Sequence, residues 1–185
     1  MSDHTISPAK TGRNGRRQAA VEIIDFRPSL KRHFKALNLE WLRAFFSVER
    51  ADLAVLDHPE REIIARGGVV LFARSGGRIV GTCAIVPRGG KAFELIKMAV
   101  APDHRGLGIG KLLCLAALTR AGELGAAELV ARTSPKLEAA NRLYRSLGFV
   151  PAGDDQSGDY RRPTIVLRYP LRRPRHAHPG IKPSI

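Results

Sequence analysis

The stretch Val100–Leu113, VAPDHRGLGIGKLL, joins a β-rich run, KAFELIKMAVAP (91–102), to a run with helical spacing, GIGKLLCLAALTRAGELG (108–125). Three alternating glycines, Gly106, Gly108 and Gly110, stand at the junction. Glycine weakens a helix interior, so a cluster here implies that the backbone itself is put to use. The N–H groups at a helix start lack intrahelical partners and carry partial positive charge. Glycines let several of them close on phosphate oxygens without interference from Cβ atoms. Two common phosphate motifs do not fit. A nucleotide P-loop would need glycine where Arg105 stands and a hydroxyl where Leu112 stands. A dinucleotide GxGxxG would need glycine at Lys111 and a parallel βαβ setting.

Working outward from this turn, VVLFAR (69–74), RIVGTCAIVP (78–87) and the run ending at Pro102 are separated by SGG and RGG, which predicts three consecutive antiparallel strands. Before them, VEIIDFRP (21–28) reads as a first strand. SLKRHFKALNLEWLRAFFSV (29–48) then sets Leu30, Phe34, Leu37, Trp41, Leu42 and Phe45 at helical spacing on one face. ADLAVLDHPEREIIAR (51–66) is a second helical stretch, interrupted by Pro59 and ended by Gly67-Gly68. After the glycine turn, the helical run carries Leu112, Leu113, Ala116, Ala117 and Leu124 as its apolar stripe and stops at Gly125. AAELVART (126–133) returns as a strand. SPKLEAANRLYRSLG (134–148) reads as a helix with Ser134 as cap and Pro135 in first position. FVPAG (149–153) and PTIVLRYP (163–170) close the order β–α–α–β–β–β–α–β–α–β–β, an α+β pattern around one mixed sheet.

The composition restricts the function. At 185 residues and 44% hydrophobic content, the chain suits one globular domain. We expect it at 21–170, between a basic flexible tail (1–20) and a basic Pro-rich tail (171–185). No apolar run approaches membrane-span length and no apolar block follows the basic N-terminus, so neither membrane insertion nor export is expected and a cytoplasmic location is. Cys83 and Cys114 sit among apolar neighbours and read as buried free thiols, and the six histidines show no metal-ligand spacing, so no metal is expected. Most of the net charge of +14 lies at the ends: residues 1–20 hold four Lys/Arg against one acid, and residues 161–185 hold seven against none. Tails of this kind are solvated more often than they bind specifically, and no aromatic side chains interleave with the arginines, so no specific nucleic-acid partner is expected.

The pattern Arg-Gly-x-Gly-x-Gly, after a strand and opening a long helix, resembles the GNAT family of N-acetyltransferases. The resemblance covers about residues 70–170, with ELIKMAVAP, HRGLGIGKLL, AAELVART and AANRLYRSLGF in family order. It implies a GNAT-like three-layer α+β fold with a mostly antiparallel central sheet. It also implies acetyl-CoA as donor, with the pyrophosphate on the backbone of Arg105, Gly106, Leu107, Gly108, Ile109, Gly110 and Lys111. In the family, backbone groups matching Met98, Ala99 and Val100 pair with the pantetheine arm, and the N–H near Met98 polarises the thioester carbonyl. Glu94 matches the position where some members carry a general base. Strand alternation would place Glu94, Ile96 and Met98 on one face, with the carboxylate beside the cleft and its pKa raised by partial burial. The other reading of Glu94 is a strand-end carboxylate paired to a basic neighbour. Tyr144 matches the tyrosine whose hydroxyl approaches the CoA sulfur. Many members carry asparagine where this chain has Leu137, and Asn141 is the nearest substitute for that cofactor contact.

The implied function is direct acetyl transfer from acetyl-CoA to a primary amine of a small molecule or peptide. His33, Asn38, Glu40, Trp41 and Tyr160 are the expected liners of the acceptor pocket. No membrane partner is expected, and a homodimer is left open. The alternative is a non-catalytic acyl-CoA-binding module whose basic tails contact nucleic acid, which salt-dependent DNA binding lost on trimming the tails would favour.

Overall fold

The computed structural model describes residues 19–153 and 164–171. Both basic tails beyond these limits, and Tyr160, lie outside the described residues. The chain forms β1 (Val21–Asp25), α1 (Lys31–Phe45), α2 (Arg50–Asp57), α3 (Pro59–Glu62), β2 (Val69–Ser75), β3 (Arg78–Pro87), β4 (Ala92–Val100), α4 (Ile109–Glu123), β5 (Glu128–Thr133), α5 (Glu138–Ser146), β6 (Val150–Pro151) and β7 (Ile165–Pro170). One seven-stranded sheet runs in the order β1-β2-β3-β4-β5-β7-β6. The three strands expected from the SGG and RGG connections pair antiparallel, whereas β4 and β5 pair in parallel. Among the described residues no helix is long and apolar enough to cross a membrane.

The sheet separates two cores. On one face Leu71, Val80, Leu95, Leu129 and Leu167 pack with Leu113 and Ala117 of α4. On the other, Val70 and Phe72 pack with Phe34 and Leu42 of α1 and with Leu56 of α2. Successive strand side chains point to opposite faces, so Val70–Ala73 serve both cores in alternation and the run is apolar throughout. Gly81 brings α4 down onto β3: a Cβ there would stand 2.9 Å from Leu113 Cδ1 and 3.2 Å from Ile109 Cγ2. The start of α4 is thereby seated beside the end of β4.

Two details of the sheet make the cleft. Pairing of β4 with β5 covers only Ala92–Leu95 against Glu128–Ala131, beyond which the ladder stops. Within β4 the register against β3 jumps between Thr82↔Ala99 and Ala84↔Ile96, so Cys83 faces both Lys97 and Met98. This is a β-bulge, and Lys97 occupies it with φ 52°. Such a conformation costs a non-glycine residue about 1–3 kcal/mol.

The bulge corrects the expected alternation. Glu94 leads to Ile96 on the α1–α2 side, but Met98 and Val100 pack with Leu95 and Phe93 against the α4 core. One inserted residue reverses the side-chain phase beyond it. A second correction concerns the last helix, which begins at Glu138 and not after Ser134. The Ser134 carbonyl accepts the Leu137 N–H at 2.9 Å and Asn141 Nδ2 at 2.9 Å, so residues 134–137 close as a turn first. Thirdly, Phe45 is 47% exposed, because α1 ends there and its last turn overhangs the core. Leu124 is likewise exposed, standing just past the last turn of α4.

Candidate functional site

A cleft of about 770 Å³ opens where β4 and β5 part, floored by Glu94–Val100 and walled by the start of α4, by Arg132–Ser134, by α5 and by the end of α1. At its α4 end, Gly106 and Gly108 both adopt left-handed φ, 76° and 80°, and a Cβ at either would meet no atom within 4 Å. Gly108 caps α4, and the first helical bond runs from the Leu112 N–H to its carbonyl at 3.1 Å. No backbone acceptor among the described residues takes the N–H groups from Gly106 through Lys111. Gly110 serves packing instead: its Cβ position lies 3.4 Å from Leu143 Cδ2 of α5.

Arg105 turns its side chain back, donating from Nε to the Val100 carbonyl at 3.0 Å and from Nη2 to Glu40 at 3.2 Å. Tyr144 is 5% exposed, lines the cleft, and packs on Phe149 with ring centroids 5.3 Å apart. Burial pushes its phenol well above the ordinary tyrosine range, and the nearby Cys114 and Cys83 thiols add to the effect. The phenol is therefore held in its neutral form. Cys114, buried beneath, is pushed up to about 12 by the same desolvation. Glu94 is 5% exposed, and its Oε2 accepts from Arg132 at 2.9 Å and from Arg88 at 3.0 Å. At the opposite end, Trp41, Phe45 and Phe46 present an aromatic wall, with Trp41 and Phe46 edge to face at 6.2 Å.

A strand splayed at a bulge, an unpartnered N–H run at a helix start and a buried tyrosine are joined here in one cleft. The profile of the Acetyltransferase (GNAT) family matches residues 35–149. The chain belongs to the GNAT family of acetyltransferases. It is 36% identical to N-acetyltransferase 8 of Rattus norvegicus over 94 residues, covering 48% of this chain and 42% of that protein. The chain thus spans about half the length of the curated relatives it matches. A GNAT acetyltransferase from Staphylococcus aureus superposes with a TM-score of 0.74 at 24% identity, over 83% of this chain and all of that one. An acetyltransferase from Salmonella typhimurium, solved with its cofactor acetyl-CoA, superposes with a TM-score of 0.67 at 21% identity, over 87% of this chain and 98% of that one. At these identities the structural matches establish the three-layer GNAT fold.

Of the residues singled out in the sequence, Glu94, Met98, Ala99, Val100, Arg105, Gly106, Gly108, Ile109, Gly110, Lys111 and Tyr144 line the cleft together with Trp41. Leu107 and Asn141 are not among its walls. Leu107 is 47% exposed, and Asn141 donates from Nδ2 to the Ser134 carbonyl while its Oδ1 is buried without a hydrogen-bond partner among the described residues. Asn38 is fully buried, donating to the Phe34 carbonyl at 2.9 Å and accepting from Trp41 Nε1 at 3.2 Å, so it orients Trp41 from the core. His33 is also outside the cleft, and Glu40 meets it only through Arg105.

The cleft adds Thr133, Ser134, Arg132, Phe45 and Phe46, which sequence reasoning missed. Thr133 had a readable signal, a hydroxyl residue ending an apolar strand beside the diverging edge. Its Oγ1 is buried and has no hydrogen-bond partner among the described residues. Together with the open N–H run, this orphaned oxygen suits an extended ligand with an anionic group at one end and amides along its length. A CoA thioester fits that description.

Proposed function

We propose that the chain transfers an acetyl group from acetyl-CoA to a primary amine of a small molecule or peptide. The observation that carries this reading is the run of N–H groups from Gly106 to Lys111, in the same cleft as a tyrosine kept protonated by burial. Acetyl-CoA would supply an electrophilic thioester carbonyl and a thiol leaving group. The N–H groups of Gly106 and of Gly108 through Lys111 would hold the pyrophosphate, favoured by the partial charge at the start of α4. Thr133 Oγ1 would take an amide of the pantetheine arm. The Met98 N–H, beside the bulge, would donate to the thioester carbonyl as negative charge grows on its oxygen. Glu94 would receive the proton lost by the amine, through water, as the new C–N bond forms. Tyr144 would give its proton to the sulfur as the C–S bond breaks.

The aromatic wall of Trp41, Phe45 and Phe46 supports an acceptor with an apolar portion next to its amine. A cytoplasmic setting accords with two buried free thiols. The test is a panel of amines, with release of CoA thiol followed by a thiol reagent. Both protein cysteines are buried, so native protein contributes little background. We expect release that depends on at least one amine. Folded protein that takes up no CoA by calorimetry and releases none with any amine overturns the reading. Glu94→Gln then separates two roles: a lost acidic limb in the pH–rate profile marks a base, and an unmoved profile marks a carboxylate that only holds Arg88 and Arg132.

A further inference from the structure

Two locally unfavourable features coincide at one position of β4. Lys97 is the one non-glycine residue with left-handed φ among the described residues. Its side chain is 6% exposed, and its ammonium lies 2.6 Å from Oδ1 of Asp52, which is fully buried. The other carboxylate oxygen of Asp52 accepts the Glu49 N–H at 3.1 Å, fixing the start of α2. A buried ion pair is often no more stabilising than an apolar pair of similar volume, and left-handed strain persists only where the surroundings impose it. A fold that tolerates both at one residue is expected to use them, and bulges next to reaction sites re-aim the strand.

The position indicates the use. Lys97 precedes Met98 at the point where β4 reverses phase, so the torsion at Lys97 decides where the Met98 N–H points. Asp52 belongs to α2, which packs beside α1 and its aromatic wall. We propose that the Asp52–Lys97 pair is a positioning device for acetyl transfer: it locks the bulge so that the Met98 N–H faces the thioester carbonyl, and it ties that donor to the acceptor-side helices. The proposal rests on the acetyltransferase reading.

The experiment compares wild type, Lys97→Met and the double variant Asp52→Leu/Lys97→Met, all checked for folding by thermal melting. Each is titrated with CoA, and with acetyl-CoA carrying ¹³C at the carbonyl, whose resonance reports polarisation of the C=O bond. In wild type we expect the bound carbonyl to be displaced from its free position. In both variants it should fall back toward it, with acetyl transfer to any amine that wild type uses lowered about 10²-fold, the scale of losing one oxyanion donor. Rates and spectra are compared at saturating acetyl-CoA, because an interaction made only with the reacting carbonyl leaves ground-state binding alone, whatever pairing of the pantetheine arm along Met98–Val100 contributes. If Lys97→Met, which strips the ammonium from the buried Asp52 carboxylate, does not fold, the double variant carries the test, because it removes both charges. A folded variant that keeps the displaced resonance and the wild-type rate overturns the proposal, as does a wild-type resonance that is not displaced on binding. Failure of wild type to bind CoA at all sinks the acetyltransferase reading, a separate outcome.

Discussion

The two ends of the cleft, proposed above as a donor half and an acceptor half, are built from different materials. The donor half consists of the end of β4, the turn at Gly106–Gly108, the start of α4 and the tip of β5, and it offers mainly backbone N–H groups and one buried hydroxyl. The acceptor half is the end of α1, and it offers side chains: Phe45, Phe46 and Trp41, the last of them set by the buried Asn38. Main-chain chemistry demands particular backbone conformations, so it restricts sequence wherever glycine is needed. Side-chain chemistry leaves the backbone ordinary and can be exchanged residue by residue. Within one fold, the first half suits a constant ligand and the second a variable one.

The largest effect should come from breaking the donor half at its backbone. Gly108→Glu places a side chain on a left-handed residue and a negative charge at the anion site, and CoA binding by calorimetry should weaken at least about 100-fold. Normal affinity would mean that the turn is not the anion site. Next, Tyr144→Phe should lower kcat about 10²-fold with acetyl-CoA affinity unchanged, the signature of a proton donor acting only in the transition state. A smaller and opposite pattern belongs to the acceptor half. Phe45→Ala should raise the KM of the amine by roughly tenfold, on the scale of about 1–2 kcal/mol for one lost apolar contact, and leave acetyl-CoA binding alone. If it weakens acetyl-CoA equally, the two halves are not separable.

The smallest effect concerns the buried cluster of Cys83, Cys114 and Tyr144 in the core under α4. Folded protein near pH 8 should react with an alkylating reagent far more slowly than unfolded protein, because Cys83 and Cys114 are held as thiols above their ordinary pKa. Tyr144 carries a matching stability signature. Its folded-state pKa lies above the unfolded value near 10, so the stabilisation is intact below pH about 10 and is lost as alkali ionises the unfolded chain first. Melting temperature in alkali should therefore fall less steeply for Tyr144→Phe than for wild type.

The sequence was readable where local rules decide. The strand and helix order follows from period changes, and the glycine turn follows from residues that only a left-handed backbone requires, as at Gly106 and Gly108. It was unreadable where partners are distant or where one residue shifts a pattern. Nothing in ELIKMAV announces that Lys97 is left-handed, since lysine has no preference for that region and its partner Asp52 is 45 positions away. Missing the bulge placed Met98 on the wrong face of β4. Ser134-Pro135 has the chemistry of a helix start, but the Ser134 carbonyl is claimed by Leu137 and Asn141, and the helix waits until Glu138. Phe45 falls on the apolar stripe by arithmetic, yet the stripe outruns the core.

The placement of β7 bears on how the molecule is made. It lies between β5 and β6, although it follows both in the chain, and Leu167 on it is fully buried. During synthesis β5 must wait with a bare edge until the stretch from Ile165 to Pro170 has left the ribosome. A nascent chain stopped short of Ile165 would hold every residue of the glycine turn and still lack the strand that completes the sheet around it. Completion of the cleft therefore waits for β7, and premature termination before it should yield an aggregation-prone product.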